Sequence, residues 1–405
     1  MDPLKIMLQL EKVNLHYKPI ISADTQLVDG YEVSAYFQEN DRMAEPLDWF
    51  FEDASIPDDF RLELTHYIYR KSLEVFEEQN QSKNLSIFYD LRLLDSDNGQ
   101  SLLTLLESAG IKGLDLSKII IEIKEAHIPE RIDDIRKFTT YLKTLGIKLA
   151  LDVERRNGSL DRLAMLAPNM IKVDAGFLKE DSLPHLFQDV HHSLGMLSRK
   201  IGAALLFKGI SSYNQLNYAW RNGGQYYQGS YLKQAQTGFV EDDCCQAKLN
   251  ADFQNFVMFE RKKVKAQLDL TNRINETFKT MLPALKPGLP YDEMICSIGK
   301  YCSDFVFRVY ICNGEGIQLS SNAEKNNLEE WELHQEGRNK NWSWRPYFFE
   351  NIMRMNVEKK GILSDLYTDI EKTELIRTYS YPISETLYVF LDIPYGYLYE
   401  QDGLL

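Results

Sequence analysis

Four acidic residues stand at or near the ends of short β-type segments, and their placement predicts a shared site. Glu32 lies in GYEVSAY, Asp90 in SIFYDL, Glu122 in KIIIEI and Asp152 in IKLALDV. Carboxylates that are brought together repel one another unless a cation or hydrogen-bond donors neutralise them. Ligation by oxygen alone favours hard cations such as Mg²⁺ or Mn²⁺. The alternative is that these are unrelated surface acids, since the chain has 60 acidic residues.

The segments that carry these acids alternate with longer amphipathic segments over about the first 235 residues. The predicted strands are 86–91, 119–124, 147–153, 169–174, 203–207 and 225–229. Helical periodicity covers 128–146 and 183–202, and each segment ends on a glycine, a common helix stop. Alternation of this kind predicts a parallel sheet with helical crossovers.

Polar residues recur where these predicted strands end. This pattern favours a closed barrel over an open sheet. They are Asp90, Glu122, Asp152, Lys172 and Gln228, with Lys208 just past another strand. In a TIM-type barrel the carboxyl ends of all strands converge on one face. An open doubly wound sheet usually carries a glycine-rich phosphate loop, and the sequence has none. We therefore predict an α/β fold of the TIM-like (β/α) barrel type.

The remainder of the chain predicts a connector and a second domain. The segment 244–281 has neither Gly nor Pro, which predicts one long helix that could dimerise. LPALKPGLP then ends the helix, and an aromatic-rich region with several β-type segments follows. We predict a barrel over 1–243, a connector helix over 244–284 and a small α+β domain over 285–405.

Bulk properties exclude several classes of protein. The net charge of −14 argues against binding of nucleic-acid polymers, which requires basic surface. No apolar run reaches the roughly 18 residues of a membrane span, and the acidic start MDPLKIMLQLEKV does not resemble a signal peptide. The five cysteines include no C-x-x-C pair, which predicts reduced thiols rather than zinc. We expect a cytoplasmic protein.

Five motifs in order over about 235 residues resemble the EAL-type cyclic-di-GMP phosphodiesterase family. GYEVSAY resembles the EAL signature, IEIKE the family's E-x-x-E strand, and IKVD its lysine strand. LALDVE resembles the strand that normally ends in Asp-Asp, and YYQGSYL resembles the closing QG motif. The resemblance implies an EAL-type barrel and a two-metal phosphodiesterase that hydrolyses cyclic-di-GMP to the linear dinucleotide.

The resemblance also implies metal-binding roles for the four acids. Glu32, Glu122 and Asp152 match metal ligands of the family. Asp90 stands where the family usually has an asparagine ligand, and an aspartate can still coordinate a cation. The implied cofactors are Mg²⁺ or Mn²⁺.

Three further residues match functional positions of the family. Lys172 matches the lysine near the attacking water, and Glu125 matches the second glutamate of E-x-x-E, which is associated with an active-site loop. Gln228 matches the glutamine of the closing motif. The resemblance thus implies that all three lie at the active site.

The departures from the family pattern are chemically consequential. Val153 replaces the second aspartate of the Asp-Asp pair, and Lys208 stands where a late glutamate is expected. Lys18 replaces a glutamine, and Tyr36 replaces the arginine that contacts ligand phosphate. Because two-metal catalysis needs bridging carboxylates, we expect at most one well-formed cation site.

These departures favour a degenerate barrel. Lys18, Lys172 and Lys208 are predicted to neutralise the acids in place of cations, so that catalysis is weak or absent. The lysines, with Gln228 and Tyr36, are the candidate ligand-binding residues, although a lysine lacks the bidentate geometry of arginine.

Three functional hypotheses remain open at this point. The first is a signalling module that binds a nucleotide such as cyclic-di-GMP, or a protein partner, without turnover. The second is an active Mg²⁺- or Mn²⁺-dependent phosphodiesterase, in which neighbouring acids such as Glu154 replace the missing ligand. The third is a dimerisation scaffold without a ligand.

The C-terminal region carries a second motif. Trp344, Arg345 and Tyr347, followed by Asp365 and Arg377, resemble a pattern of PAS- and Cache-type sensor domains. The resemblance implies a pocket for a small ligand, while plain core packing of the aromatic residues is the alternative. The layout of barrel, helix and C-terminal domain resembles YkuI-type proteins of Gram-positive bacteria, which implies a homodimer.

Overall fold

The computed structural model describes residues 2–39, 43–79, 82–128, 132–153, 160–176, 185–284, 288–326, 328–345, 348–369 and 372–402. The chain divides into two compact units, Met1–Phe256 and Val257–Leu405. No helix in these ranges combines the length and apolarity that crossing a bilayer requires.

The first unit consists of nine strands and the helices that connect them in the described ranges. The strands are β1 (Val13–Ser22), β2 (Val28–Phe37), β3 (Glu45–Pro46), β4 (Asn84–Phe88), β5 (Ile119–Lys124), β6 (Lys148–Val153), β7 (Met170–Asp174), β8 (Ala204–Lys208) and β9 (Tyr226–Tyr227). The helices are α1 (Pro3–Met7), α2 (Asp48–Glu52), α3 (Asp58–Glu78), α4 (Leu94–Asp97), α5 (Gln100–Ile111), α6 (Ile132–Thr144), α7 (Leu160–Leu166), α8 (His185–Ile201), α9 (Tyr213–Arg221) and the start of α10 (Gln246–Met281).

Eight of these strands close into a barrel in the order β1-β2-β4-β5-β6-β7-β8-β9, and β9 pairs with β1. Strands β2 and β4 to β9 run parallel to one another, whereas β1 is antiparallel to both β2 and β9. The TIM-like barrel predicted from the alternation of segments is therefore confirmed, with one reversed strand. Strand β3 adds to the edge of β2 outside the closed ring.

The barrel interior is layered, and this layering sets up the site. Side chains alternate between the two faces of a strand, so residues two apart point the same way. One apolar layer fills the inside of the barrel and consists of Ile20, Ile120, Ala150, Met170 and Leu206. Two residues further along the parallel strands the same inward face presents Glu122, Asp152, Lys172 and Lys208. In the reversed strand β1 the equivalent residue precedes the apolar one, and it is Lys18.

Gly30 allows the first two strands of the parallel part to approach one another. It pairs with Asn84 across β2 and β4. A Cβ at this position would lie 2.4 Å from the Asn84 carbonyl oxygen. Because this oxygen belongs to the backbone, the clash could be removed only by moving the two strands apart. The glycine of GYEVSAY therefore fixes the spacing that places Glu32, two residues later, inside the barrel mouth.

The second unit is an α+β structure, as the sequence predicts. Its strands are β10 (Arg308–Asn313), β11 (Asn322–Lys325), β12 (Trp331–His334), β13 (Ile362–Leu363), β14 (Tyr367–Thr368), β15 (Leu375–Pro382) and β16 (Leu387–Pro394). Its helices are α11 (Tyr291–Tyr301), α12 (Phe348–Glu358) and α13 (Tyr395–Asp402). The sheet is antiparallel in the order β12-β11-β10-β16-β15-β13, with β14 also paired to β15.

The two faces of this sheet are covered differently. One face presents Val309, Ile311, Val389 and Leu391 to a core that includes residues of α11 and of the C-terminal half of α10. Tyr388 and Phe390, on the other face, pack against α12. The helix predicted over the connector corresponds to α10. The predicted domain boundaries at 243 and 284 and the resemblance of the C-terminal domain to PAS domains stay predictions.

Candidate functional site

A cavity of about 570 Å³ opens at the carboxyl ends of the parallel barrel strands. The structure brings together most of the residues that the sequence assigns to a site. Its lining includes Lys18, Glu32, Tyr36, Glu122, Asp152, Lys208 and Gln228. Lys172 lies at the base, where it contacts two of the lining carboxylates.

Lys172 is the central cation of this cluster. Its side chain on β7 is 1% exposed, and its Nζ donates to Glu32 Oε2 at 2.5 Å and also to Glu122 Oε2. Ser86 Oγ donates to the same Glu122 oxygen at 3.3 Å. A buried ammonium thus holds the carboxylates of β2 and β5 together from the opposite side of the barrel.

Two further lysines pair with the same set of acids. Lys18 Nζ donates to Glu32 Oε1 at 3.1 Å, and the two residues are direct partners across β1 and β2. Lys208 on β8 forms an ion pair with Asp152 on β6. Three carboxylates and three ammonium groups therefore compensate one another within the barrel mouth.

The pKa shifts follow from this arrangement. Burial raises the pKa of Glu32, but Lys172 and Lys18 outweigh it and hold that pKa well below its ordinary value. Burial raises the pKa of Glu122; Lys172 opposes the rise, while Glu32 and Asp152 add to it, and the net shift is upward. Burial lowers the pKa of Lys172, but Glu122 and Glu32 raise it above its ordinary value. Glu32 is therefore the better-compensated partner of the shared ammonium.

Asp90 is not brought to the cavity. Its side chain is fully buried two residues beyond the end of β4 and is not among the lining residues. Arg92 donates to it from Nε at 2.9 Å and from Nη2 at 2.7 Å, and His127 Nδ1 lies 3.1 Å from Oδ1. The carboxylate also accepts the Arg92 backbone N–H, because Asp90 caps a short turn. Burial raises the pKa of Asp90, but His127 and Arg92 lower it overall.

The remaining predicted residues occupy distinct places. Gln228 is 4% exposed, lines the cavity, and its Nε2 finds no hydrogen-bond acceptor among the described residues. Tyr36 lines the cavity and stacks on His16 with ring centroids 4.2 Å apart. Glu125 is buried in the short turn Glu125–His127 after β5 and does not line the cavity.

Sequence reasoning missed several residues of this region. Lys124 lines the cavity and forms an ion pair with Glu52 on α2. Arg92 and His127 fix Asp90, as described above. A local signal for the Asp90–Arg92 contact exists in DLRLL. An aspartate at the start of a turn typically accepts a hydrogen bond from the backbone two residues later, which here is that of Arg92. The Lys124–Glu52 pair joins residues 72 positions apart, and no local pattern indicates it.

The donor set does not fit a pair of divalent cations. Asp152 is engaged by Lys208, Glu32 and Glu122 share Lys172, and residue 153 is a valine on the outward side of β6. Within the described ranges no three His, Cys, Asp or Glu side chains converge in a way that could hold a metal ion. Glu154, the alternative ligand, lies outside those ranges. Two bridging cations would have to displace ammonium groups already in place.

The C-terminal motif residues are only partly brought together. Trp344, Arg345 and Asp365 line a second cavity of about 640 Å³ in the second unit. Arg377 does not line it and donates from Nη1 to the Ser364 carbonyl at 3.2 Å. Tyr347 lies outside the described residues.

Comparisons with known proteins agree with this geometry. The profile of the EAL domain matches residues 2–235, and that of the EAL-domain associated signalling protein domain YkuI_C matches residues 239–405. The chain is 38% identical over 408 residues to an uncharacterized EAL-domain containing protein, YkuI, of Bacillus subtilis (strain 168), and the match covers 100% of both chains.

Solved structures of EAL-domain proteins are also similar to this chain. The structure of B. subtilis YkuI in complex with substrate c-di-GMP and calcium superposes with a TM-score of 0.93 at 38% identity and covers 100% of both chains. The Klebsiella pneumoniae BlrP1 manganese/cy-diGMP complex at pH 9.0 superposes with a TM-score of 0.50 at 18% identity, over 57% of this chain and 58% of that chain. The latter likeness shows the fold alone.

Removing the shared ammonium should destabilise the barrel strongly. We expect Lys172→Met to lower the free energy of unfolding by about 3–5 kcal/mol, because it leaves the buried Glu122 without its ammonium partner and Glu32 with Lys18 alone. Urea unfolding of the full chain measures the change. Lys137→Met is the matched control and should change little, because this exposed lysine is paired with the exposed Asp134 on the same helix, α6.

Two further measurements separate charge from packing. Adding Glu122→Gln to Lys172→Met should restore part of the lost stability, since one uncompensated carboxylate is gone. The loss should also shrink as pH falls towards about 4, because without Lys172 the folded-state pKa of Glu122 rises further above the unfolded value of about 4.3. A loss that is independent of pH and of Glu122→Gln would contradict the electrostatic account.

Proposed function

This chain belongs to the EAL-domain family, and we propose that it is a cyclic-di-GMP signalling protein whose barrel binds the dinucleotide with weak hydrolysis or none. The structure with a TM-score of 0.93 is that of a relative in complex with c-di-GMP and calcium. That relative matches over the whole length of the chain. We infer the same ligand for this barrel, and the observation that carries the absence of turnover is the set of lysine–carboxylate pairs at its mouth.

In the two outer pairs the ammonium group is more exposed than its carboxylate partner, whereas Lys172 is buried below them. The Lys18 side chain is 32% exposed and its partner Glu32 13%. Lys208 is 30% exposed and Asp152 only 4%. The neutral cluster thus presents its positive side to the cavity, which favours a ligand with two phosphodiester charges.

Gln228 supplies a second kind of support. Its Nε2 is a buried donor that no described residue uses, and leaving such a donor unsatisfied costs about 1–3 kcal/mol. A bound ligand with an acceptor at this place would recover that cost. Tyr36 is expected to weaken ligand binding, because it replaces an arginine that would bind phosphate through two hydrogen bonds.

Weak or absent hydrolysis follows from the ligand chemistry of the carboxylates. In-line attack by metal-activated water needs cations held by free carboxylates. Here those carboxylates are paired with lysines, and we expect at most one divalent cation, Mg²⁺, Mn²⁺ or Ca²⁺, to bind. The second candidate is an active phosphodiesterase regulated by the C-terminal domain, in which a cation displaces Lys208 when substrate enters.

Calorimetry with the full chain should show saturable binding of cyclic-di-GMP in EDTA as well as in Mg²⁺ or Mn²⁺. We expect no linear product at rates near 1 s⁻¹, a common lower range for enzymes, when the same mixtures are separated by chromatography. Product at such rates in Mg²⁺ or Mn²⁺ would establish the phosphodiesterase instead. Neither binding nor product would make the barrel a protein-interaction platform.

Reversing the charge of Lys208 tests its cation-replacing role. Lys208→Glu places a second carboxylate beside Asp152, so we expect affinity for cyclic-di-GMP in EDTA to fall by about tenfold or more, the loss of one charge-assisted contact. A divalent cation should restore it. Lys233→Glu makes the same charge change at another cavity residue, which has no carboxylate partner in the site, and should not create cation dependence. Equal cation dependence in both variants would refute the role.

We further propose that the chain forms a homodimer through α10. Val257, Val264 and Leu268 lie at a spacing that places them on one face of the helix, and they are 36%, 50% and 59% exposed. The helix is uninterrupted over 36 residues. A cytoplasmic location and the lack of nucleic-acid polymer binding remain predictions.

Sedimentation equilibrium should give twice the chain mass of 47.1 kDa. The double variant Val264→Glu with Leu268→Glu should sediment as a monomer, because buried unpaired charges oppose association. Lys265→Glu, at an exposed polar position of the same helix, is the control and should remain a dimer. A monomeric wild-type chain, or a double variant that stays dimeric, would argue against this surface.

A further inference from the structure

The second cavity lies on the face of the C-terminal sheet that α12 covers. Its volume of about 640 Å³ lies within the range of small-molecule pockets, about 300–1,000 Å³. Aromatic rings form much of its wall, and Tyr310 and Phe390 stack on each other with centroids 5.3 Å apart. Phe348 of α12 also stacks on Phe390, with ring centroids 6.3 Å apart. The wall therefore offers a flat apolar surface.

Arg345 is one of two arginines that line this cavity, and the other, Arg354, is paired with Glu358. The Arg345 guanidinium carbon lies 4.2 Å from the centroid of Trp342 and 5.9 Å from that of Tyr367. The Trp342 ring is itself fixed, because its Nε1 donates to the buried Gln318 at 2.9 Å. Stacking on rings restrains the guanidinium while leaving its N–H groups available for an in-plane acceptor.

Three arginines of this unit are paired with carboxylates, whereas Arg345 has no such partner among the described residues. Arg308 contacts Asp392 and Asp369, Arg338 contacts Asp292 at 2.6 Å, and Arg354 contacts Glu358 at 2.8 Å. No carboxylate of the described residues lies within ion-pair distance of Arg345. Burial lowers its pKa, but the nearby Tyr310, Tyr367 and Asp392 raise it overall, so the side chain keeps its charge.

Three hydroxyl groups of the cavity wall are already engaged in hydrogen bonds. Tyr367 Oη and Thr378 Oγ1 are 2.6 Å apart, and Thr378 donates to Asp392 at 2.6 Å. Ser364 donates to the Asp365 carbonyl at 2.8 Å. The Arg345 guanidinium is thus the polar group of the wall best placed to bind an anion, and the rest of the wall favours an apolar body.

From this geometry we propose that the C-terminal cavity binds a small organic carboxylate with an aromatic or aliphatic body. The carboxylate accepts hydrogen bonds from the Arg345 guanidinium, and the body packs between Trp342, Phe348 and Phe390. Asp365, which also lines the cavity, disfavours ligands with a second negative charge. The inference does not depend on what the barrel binds.

Calorimetry with the full chain and a matched set of probes tests the proposal. The probes are phenylacetate, hexanoate and the neutral analogue phenylacetamide. We expect at least one carboxylate to bind with a Kd of about 1 mM or below, and phenylacetamide to bind at least about tenfold more weakly than phenylacetate. Failure of both carboxylates to saturate at about 10 mM, or equal binding of the amide, would overturn the proposal.

Variants assign the binding to the cavity. Arg345→Gln should weaken carboxylate binding by about tenfold or more, and Arg345→Lys, which keeps the charge but loses the planar guanidinium, should give an intermediate loss. Arg338→Gln removes an arginine of the same unit outside the cavity and should leave the affinity unchanged. Circular dichroism confirms that each variant is folded. Undiminished binding in a folded Arg345→Gln variant would place the ligand elsewhere.

Discussion

The arrangement of the barrel mouth depends on one buried ammonium group. Lys172 is inaccessible to water, and a charge in such a place costs several kcal/mol unless it is paired and hydrogen-bonded. Glu32 and Glu122 meet this requirement from two other strands. The lysine in turn offsets the free-energy cost of burying these two carboxylates. No member of this trio can be lost singly without leaving an uncompensated charge inside the barrel, so the three residues constrain one another.

The layering of the barrel explains why these groups meet at all. The apolar layer of Ile20, Ile120, Ala150, Met170 and Leu206 closes the interior from below. Because the side-chain period of a strand is two, the next inward residue of each strand must lie directly above it. Five strands place a charged residue there, three of them lysines and two of them acids, and Glu32 on β2 completes the cluster. A one-residue slip of any of these strands would expose its charge to the apolar core outside the barrel.

The same periodicity explains what the sequence could and could not predict. Glu122, Asp152, Lys172 and Lys208 lie within regular strands, so their common direction was readable from alternation and from the convergence of strand ends. Asp90 lies two residues past β4, where the chain has turned into a cap, and alternation no longer applies. The reversal of β1, which brings Lys18 to Glu32, likewise has no local signal. In the second unit the cluster of aromatic residues was visible, but the stacking of Arg345 on Trp342 depends on the loop between them.

The two cavities differ in how their cations are balanced, and this difference assigns them different ligands. In the barrel, Lys18, Lys172 and Lys208 already have carboxylate partners, so a ligand is attracted by the orientation of these ion pairs rather than by net charge. Such a site suits a large ligand that spreads two charges over many contacts. In the C-terminal unit Arg345 has aromatic neighbours but no described carboxylate partner, so one compact anion can satisfy it.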